Sequence, residues 1–468
     1  MLEAFLDRRQ RDEIGFEFVL NKIEVLSVYG KELLVSQAPF SDEEALNREF
    51  DYMELVKTYL ADYDRLMKES EIYFARIKNI NHILDSVELV CLDEVDIFEI
   101  KKFAFNVMKL NNCFKQIENI SSEFILYDYT DLFNYLDLDG SQMPFFSLYD
   151  SYSPKMAELR RQIKEDNYTE AELEKVKLEL KEEEVEVKKE ISSRIAAEVN
   201  NLYETVKQVA YLDLLIAKVK LAIKYNLSKP SVSSKLELKQ AYNPHVKEIV
   251  EEKGYKYIPL DIIVEQDIQL ITGSNMSGKS VTLKNIILNT LCFQYGIYPF
   301  AQEAKLPLLE YVVFISDELQ DVANSLSSFG KEVHVLSEAL SFIEGKRGLI
   351  VLDEFARGTN PIEAKMIVVG LCKYLKTKDA YSVLSTHLDL ELDMDYHHYQ
   401  VVGLGNYDDD IETSEDILNV MDYSLTRVDQ NTKVPNDAFK VMNFLNLNRE
   451  LKNLIEKEYE KEITNEQN

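Results

Sequence analysis

Residues 268–280 read Ile-Gln-Leu-Ile-Thr-Gly-Ser-Asn-Met-Ser-Gly-Lys-Ser, an apolar run followed by a complete Gly-x-x-x-x-Gly-Lys-Ser/Thr motif. The residues that follow place Leu283, Ile286, Ile287 and Leu291 on one face of a predicted helix. A strand, a glycine-rich loop and a helix in this order are typical of the phosphate-binding loop of α/β domains. The stretch therefore predicts an α/β domain that binds a nucleotide.

The residue types in the motif explain the expected chemistry. Glycines allow backbone N–H groups to surround phosphate oxygens, and the start of the helix adds the positive end of its dipole. We expect Lys279 to contact the β and γ phosphates and the Ser280 hydroxyl to ligate Mg²⁺. ATP and Mg²⁺ are thus the expected cofactors. The nucleotide-binding residues predicted from the loop are Gly273, Ser274, Asn275, Met276, Ser277, Gly278, Lys279, Ser280 and Val281.

Two further apolar runs end in polar groups. Residues 349–352 lead directly into Asp353 and Glu354, and residues 383–386 lead into His387. The carboxyl ends of strands in an α/β sheet face the ligand crevice. We expect Asp353 to hold Mg²⁺ and Glu354 to orient or deprotonate the attacking water. After these motifs, His387 is interpreted as a sensor of the γ-phosphate. The predicted catalytic residues are Glu354, His387 and Lys279.

A serine pair lies between these motifs. Ser327 and Ser328 precede a segment in which Phe329, Val333 and Leu336 share one helical face. Serine in this place is an ordinary helix cap. A serine-capped helix start also binds anions, so the pair is alternatively a contact for the γ-phosphate held by another subunit. Both interpretations stand.

Glycine and proline divide the chain into two parts. Only three of the 14 glycines precede Gly254, and no proline lies between Pro154 and Pro230. Because both residues interrupt helices, the first part is predicted to be all α. Later, short β-branched or aliphatic runs alternate with helical segments, which is typical of an α/β domain around a largely parallel sheet. These runs are residues 262–264, 268–272, 311–315, 349–352 and 381–384.

The domains predicted from this division are a helical domain over residues 1–235 and a P-loop ATPase domain over residues 236–468. Within the helical domain, residues 160–200 are dense in charge and poor in apolar positions, which predicts an exposed helical arm. Residues 161–200 contain eight basic and twelve acidic side chains, so the arm is not an obvious DNA-binding surface.

The overall charge bears on the class of partner. The 468 residues include 83 Asp and Glu against 53 Lys and Arg, a net charge of −30. Nucleic-acid affinity comes largely from Lys and Arg that displace counterions, so the composition argues against a broad DNA-binding surface but not against a local basic groove. A membrane span needs about 18 uncharged apolar residues, and no such run is present. With no signal peptide expected at the charged N-terminus, we predict a cytoplasmic protein without membrane partners.

In their order, the motifs resemble the MutS family, whose ATPase domain belongs to the ABC class. Asn275-Met276 within the loop is characteristic of that family. The helical part is similar more loosely: residues 20–34 look like the start of the MutS core, and residues 211–217 look like its lever helix. The segments that carry the stronger resemblance are TGSNMSGKS at 272–280, Ser327 to Phe329, LDEFARGTNPIE at 352–363 and STHLDLEL at 385–392.

The resemblance implies a multidomain protein: an all-α MutS-like core with lever and clamp helices, followed by an α/β P-loop ABC-type ATPase domain that ends in a helical dimerisation segment. It also implies a homodimer in which Ser327 or Ser328 of each subunit reaches the γ-phosphate bound by the other. By the same resemblance Tyr257 stacks on adenine, although Leu260 stands where the family has Asn.

Two main functions are compatible with these features. Residues 1–230 contain no Phe-x-Glu wedge of the kind that mismatch readers insert into DNA, and we expect neither a mismatch-recognition domain before the core nor a nuclease-like domain after it. Short, acidic proteins of this architecture resemble the ATPase subunit of reactivases for adenosylcobalamin-dependent lysine aminomutases, which favours an ATP-driven clamp on a protein partner. The alternative is a clamp on mismatched, branched or recombination DNA. An ATP-gated scaffold with slow turnover is a third possibility.

Overall fold

The computed structural model describes residues 4–138, 140, 146–165, 168–274, 277–316, 328–403, 422–430, 432, 448, 450–451, 453–455 and 457. The chain divides into two compact units. The helical unit contains residues 23–37 and 52–221, and the sheet unit contains residues 1–22, 38–51 and 222–468. The predicted boundary near residue 235 stays a prediction. Most of the expected C-terminal dimerisation segment lies outside the described residues.

The helices among the described residues are α1 (Arg8–Glu13), α2 (Phe16–Lys22), α3 (Val28–Ser36), α4 (Glu43–Asp62), α5 (Asp64–Arg76), α6 (Asn81–Ser86), α7 (Glu94–Phe114), α8 (Thr130–Leu136), α9 (Pro154–Lys164), α10 (Glu170–Ala197), α11 (Val199–Lys224), α12 (Pro244–Glu252), α13 (Lys279–Gln294), α14 (Ser328–Phe342) and α15 (Pro361–Leu375). The strands are β1 (Ser231–Val232), β2 (Leu236–Ala241), β3 (Leu260–Val264), β4 (Ile268–Thr272), β5 (Glu303–Leu306), β6 (Tyr311–Ile315), β7 (Gly348–Asp353), β8 (Ala380–Thr386), β9 (His397–Gly403) and β10 (Asp422–Val428).

The helical unit has the all-α composition that its scarcity of glycine and proline predicts. Its described residues form helices, two 3-10 turns and loops, without a named strand. Two buried carboxylates tie its segments together. Asp137 pairs with Lys101 at 2.7 Å, and Asp213 accepts hydrogen bonds from the backbone N–H groups of Leu26 and Ser27 just before α3. Asp137 is thus ion-paired and Asp213 is hydrogen-bonded within the interior, so neither buried group lacks a partner.

The predicted arm is helical over α10. Its buried side chains, Val187, Ile191, Ser192 and Ile195, all lie in the second half of the helix. The first half is largely exposed and carries surface ion pairs such as Lys177 with Glu174 at 2.9 Å. The lever and clamp roles that the resemblance implies for these helices stay predictions.

Two sheets form the centre of the sheet unit. The larger has the strand order β10-β9-β4-β8-β7-β6, and all its neighbours are parallel except the pair β10 and β9. The smaller has the order β1-β5-β2-β3 and mixes parallel and antiparallel pairs. The five predicted runs lie within β3, β4, β6, β7 and β8, so a largely parallel main sheet is confirmed. The smaller sheet was not predicted as a separate one.

The N-terminal residues belong to the sheet unit. Phe5 forms a parallel bridge with Val312 of β6, whose N–H donates to Ala4 O at 2.8 Å. The buried Gln10 side chain of α1 donates to Phe314 O at 2.9 Å. This segment therefore covers the free edge of β6, a long-range pairing that has no periodic signal in the sequence.

Helix α13, which follows the phosphate-binding loop, is buried on nearly all sides. The sequence predicts a single apolar face, yet the polar residues Asn285, Asn289 and Thr290 are buried as well. Asn285 Nδ2 donates to Ala241 O at 3.0 Å, Asn289 Nδ2 donates to Asn285 O at 2.9 Å, and Thr290 Oγ1 donates to Ile286 O at 2.8 Å. The helix is thereby fixed between the two sheets' strands, with its first residue at the loop.

None of the helices in the described ranges is long and apolar enough to cross a membrane.

Two glycines of the sheet unit provide a matched test of the packing around β7. A Cβ atom on Gly348 of β7 would lie 2.4 Å from the Tyr311 ring on the neighbouring strand, whereas a Cβ on Gly370 of α15 would meet no atom within 4 Å. We expect Gly348→Ala to destabilise the protein by about 1–3 kcal/mol through overpacking. Gly370→Ala should stabilise it by about 0.5–1 kcal/mol, because alanine favours the helix. Urea unfolding measures both. Equal effects of the two changes would contradict the packing around β7.

Candidate functional site

The register of the large sheet determines where the predicted site residues meet. Thr272 of β4 lies opposite Thr386 of β8, and Asp353 of β7 lies opposite Ser385 of β8. Because all three strands are parallel, the segments that follow them leave the sheet at the same edge. The phosphate-binding loop and the segments carrying the predicted catalytic carboxylate and histidine are therefore neighbours.

The phosphate-binding loop depends on its two motif glycines. Gly278 precedes α13 with φ of 89°, and Gly273 has φ of 158°. An added Cβ would lie 2.6 Å from the Tyr423 ring at Gly278 and 2.6 Å from Ser277 Oγ at Gly273. Both positions thus exclude larger side chains. The predicted residues Asn275 and Met276 lie outside the described residues.

Lys279 is the first residue of α13 and is only 5% exposed. Its Nζ donates to Gly273 O and Ser274 O, both at 3.0 Å, so the ammonium group lies inside the curve of the loop. Ser277 Oγ is buried there and has no hydrogen-bond partner within the described part of the chain. Such a buried polar atom fits a loop built to receive an external polar ligand. Ser280 and Val281, in the first turn of α13, line the adjacent cavity.

Three basic side chains surround Glu354. Lys279 Nζ lies 3.2 Å from its Oε1, Arg357 Nη1 lies 3.0 Å from its Oε2, and His387 Nδ1 lies 3.9 Å from Oε2. The Glu354 side chain is 13% exposed. The structure thus brings the three predicted catalytic residues together. Sequence reasoning did not single out Arg357, although it stands only three residues after Glu354.

Ser385 orients the two carboxylate residues at the end of β7. Its Oγ donates to Asp353 Oδ1 at 2.5 Å and accepts from the backbone N–H of Glu354 at 3.0 Å. Ser385 itself is 2% exposed. Asp353 is therefore held at the sheet edge by a buried hydroxyl group. Sequence reasoning missed Ser385 because its role depends on cross-strand register.

The residues at this edge are suited to Mg²⁺. Magnesium prefers oxygen ligands such as carboxylates, hydroxyls and phosphates. The predicted ligands, Ser280 and Asp353, supply a hydroxyl and a carboxylate, and both are partly exposed. The donor set fits the ion.

A cavity of about 630 Å³ lies beside the loop. Cavities that hold cofactors have volumes of about 300–1,000 Å³ and are mostly apolar with a few polar groups. Here the polar groups include Lys279, Ser280, Glu354 and Arg357. The aliphatic side chains of the wall are Val246, Ile249, Val250, Ile258, Leu260 and Val281. The arrangement suits a ligand that is charged at one end and apolar at the other.

Tyrosines form another part of the cavity wall. Tyr257, the predicted adenine contact, lines the cavity, and its hydroxyl accepts a hydrogen bond from Asn243 N at 3.2 Å. Tyr255 and Tyr423 line it too. Burial raises the pKa of Tyr257 and of Tyr423, so both rings stay neutral near pH 7. Tyr423 was not predicted, because its position beside Gly278 comes from the pairing of β10 with β9.

A buried histidine anchors the strand end before the loop. His398 Nδ1 lies 3.1 Å from Asp429 O, a pure acceptor, so Nδ1 carries the proton. Burial lowers the pKa of His398, which keeps the ring neutral. Its Nε2 is then an acceptor for Thr272 Oγ1 at 2.8 Å. The last residue of β4 is thereby fixed to the neighbouring strand.

The serine pair is only partly described. Ser327 lies outside the described residues, and Ser328 is the first residue of α14. The contact of either serine with a phosphate stays a prediction.

Comparisons with known proteins agree with the motifs. Residues 269–434 match the family model of MutS domain V. An endonuclease MutS2 of Carboxydothermus hydrogenoformans is 32% identical over 219 residues, which are 45% of this chain and 27% of that protein. A DNA mismatch repair protein MutS of Lactobacillus delbrueckii subsp. bulgaricus is 32% identical over 228 residues, 47% of this chain and 26% of that protein.

An endonuclease MutS2 of Fusobacterium nucleatum subsp. nucleatum is 33% identical over 244 residues, 51% of this chain and 29% of that protein. The aligned part thus spans less than a third of each of these three relatives. The matches confirm the resemblance to the MutS family that the motifs predict.

Proposed function

We propose that the protein is an ATPase of the MutS family that acts on DNA. The observation that carries the proposal is the meeting of Lys279, Asp353, Glu354 and His387 at one edge of a parallel sheet. The match of this region to MutS domain V supports it. The cavity beside this edge supplies space for the base and sugar of a nucleotide.

In this proposal the chain's own residues bind and orient the nucleotide. Lys279 and the backbone N–H groups at the start of α13 bind the phosphates. Tyr257 contacts the adenine. Ser280 and Asp353 would hold Mg²⁺, which would offset the negative charge of the phosphates. Ser385 keeps Asp353 in place through its 2.5 Å hydrogen bond.

Glu354 is the proposed general base. Its carboxylate lies between Lys279 and Arg357, and phosphate oxygens would compete with it for Lys279. Once Lys279 turns to the phosphates, Glu354 is free to orient a water and accept its proton. His387, whose Nδ1 lies 3.9 Å from Glu354 Oε2, is the proposed contact for the γ-phosphate.

Substitutions of Lys279 and Glu354 separate binding from hydrolysis. We expect Lys279→Ala to weaken ATP binding by about 100-fold or more, because a buried cation is lost from the phosphate site. Glu354→Gln should bind ATP but hydrolyse it about 10²–10⁴-fold more slowly, because the amide cannot accept the proton. Fluorescence titration and phosphate release measure the two steps.

The exposed residues Lys373 and Glu391 provide controls. Lys373→Ala and Glu391→Gln should bind and hydrolyse ATP like the unaltered protein. Unaltered turnover in Glu354→Gln would contradict the assignment of the general base, and ATP binding by Lys279→Ala at full affinity would contradict the phosphate site.

DNA is the proposed partner because of the functions that the names of the relatives state. Their names identify them as DNA mismatch repair proteins and endonucleases. The hypothesis of a protein partner of the aminomutase class gains no support from these comparisons, which favour the alternative of a clamp on mismatched, branched or recombination DNA. The net charge of −30 then requires that DNA contacts a local basic surface.

DNA binding of this kind depends steeply on salt. We expect duplex or branched DNA to bind with an affinity that falls between 50 and 200 mM salt with a log–log slope of about −3 or steeper, equivalent to three or more phosphate contacts. DNA should also raise the ATPase rate of the unaltered protein but not of Lys279→Ala. Fluorescence anisotropy and phosphate release measure these effects. No DNA binding at 50 mM salt, together with a protein that co-purifies with Glu354→Gln, would contradict the proposal.

We also propose that the protein is a homodimer in its ATP-bound state. The sheet unit exposes two apolar side chains one turn apart on α15, Ile362 at 71% and Met366 at 64%. They lie 8 and 12 residues after Glu354 in sequence. Exposed apolar side chains grouped on one face favour association.

The dimer is tested by sedimentation of Glu354→Gln, which should retain ATP. We expect twice the chain mass with ATP and a smaller dimer fraction without it, because shared sites couple association to nucleotide binding. Adding Ile362→Glu and Met366→Glu should return the ATP-bound protein to the monomer. A monomer at all ATP concentrations would contradict the proposal.

A further inference from the structure

The loop after β7 contains two strained backbone positions. Glu354 has φ of 48° and Ala356 has φ of 67°, in the left-handed region that non-glycine residues rarely occupy. Each such residue costs roughly 1–2 kcal/mol and persists only where the surroundings hold it. The direction in which the Glu354 side chain points depends on this conformation.

Hydrogen bonds hold the loop at both ends. At the first end, the N–H of Glu354 donates to Ser385 Oγ at 3.0 Å and to Ser385 O at 3.2 Å. At the second end, the N–H of Ala356 donates to Glu332 Oε2 at 2.8 Å. A hydrogen bond to a carboxylate is about twice as strong as one between neutral groups. Glu332 is therefore a principal restraint on the second strained residue.

Glu332 belongs to α14 and not to the ligand cavity. It is 7% exposed, and the described residues that line the cavity do not include it. Its carboxylate instead reaches the fully buried Ala356. Glu332 thus contacts the loop that carries Glu354 and does not line the described part of the cavity.

The position of Glu332 on α14 links the start of that helix to the loop at Ala356. Ser328 begins α14, and Glu332 follows about one turn later in the same helix. A shift at the start of α14 would move the Glu332 carboxylate and with it the N–H of Ala356. The strained loop would then relax, and Glu354 would turn away from Lys279 and Arg357.

We propose that Glu332 is a positioning residue that transmits the position of α14 to the carboxylate of Glu354 in the same subunit. The inference rests on the proposed ATPase function and adds to it a control of the hydrolytic site. An event at the start of α14, such as contact with a second subunit, thereby sets whether Glu354 is in place for hydrolysis.

Three substitutions of the full chain test this proposal. Glu332→Ala removes the acceptor, Glu332→Gln keeps an oxygen that accepts from Ala356, and Glu338→Ala alters an exposed glutamate of the same helix. The readouts are kcat for ATP hydrolysis and the Kd for ADP. We expect Glu332→Ala to lower kcat by about 10–100-fold, as misplacement of a catalytic group does, with the Kd for ADP unchanged. Glu332→Gln should recover most of kcat, and Glu338→Ala should match the unaltered protein.

The outcomes distinguish a positioning role of Glu332 from no role and from support of the whole site. An unchanged kcat in Glu332→Ala overturns the inference, and so does an equal loss in Glu332→Ala and Glu332→Gln. A loss of ADP binding that accompanies the loss of kcat also overturns it, because Glu332 would then support the whole site. If Glu332→Ala does not fold, Glu332→Asp replaces it and should show the same fall in kcat. Absence of ATPase activity in the unaltered protein would contradict the proposed function instead.

Discussion

Parallel pairing of β4, β8 and β7 is the constraint on which the sheet unit depends. It places the ends of the three strands side by side, so residues more than 70 positions apart in sequence share one site. A register shift of one residue would turn the Ser385 side chain to the other face of the sheet. Asp353 and the N–H of Glu354 would then lose their shared partner, and neither carboxylate would be oriented.

Electrostatics then determines what this edge can bind. A buried carboxylate is stable only when it is paired, and Glu354 is paired with Lys279 and lies near further basic groups. Phosphate groups are negatively charged, like the Glu354 carboxylate, and can replace it as the partner of Lys279. On this account, nucleotide binding both fills the loop and releases the base. The restraint from Glu332 decides where the released carboxylate points.

The sequence predicts the parts of the fold that rest on local signals. The runs that become β4, β6, β7 and β8 are short and largely apolar, and the loop motif has a fixed spacing. The sequence does not predict Ser385, Arg357, Tyr423 or Glu332 as site residues, because their roles come from cross-strand register, loop conformation and contacts between distant elements. For the same reason, the pairing of Phe5 with β6 has no signature in the sequence.

The acidic composition and the family resemblance lead to different expectations about the partner. The charge of −30 favours a protein partner, whereas the named relatives favour DNA. Both expectations depend on the same proposed ATP site, in which the loop at Lys279 faces Glu354. A crystal structure with Mg²⁺ and a non-hydrolysable ATP analogue tests this site most directly. The account predicts Lys279 Nζ on the β and γ phosphates, its contact with Glu354 broken, and adenine against Tyr257. An analogue bound outside the cavity, with Lys279 still paired to Glu354, would contradict it.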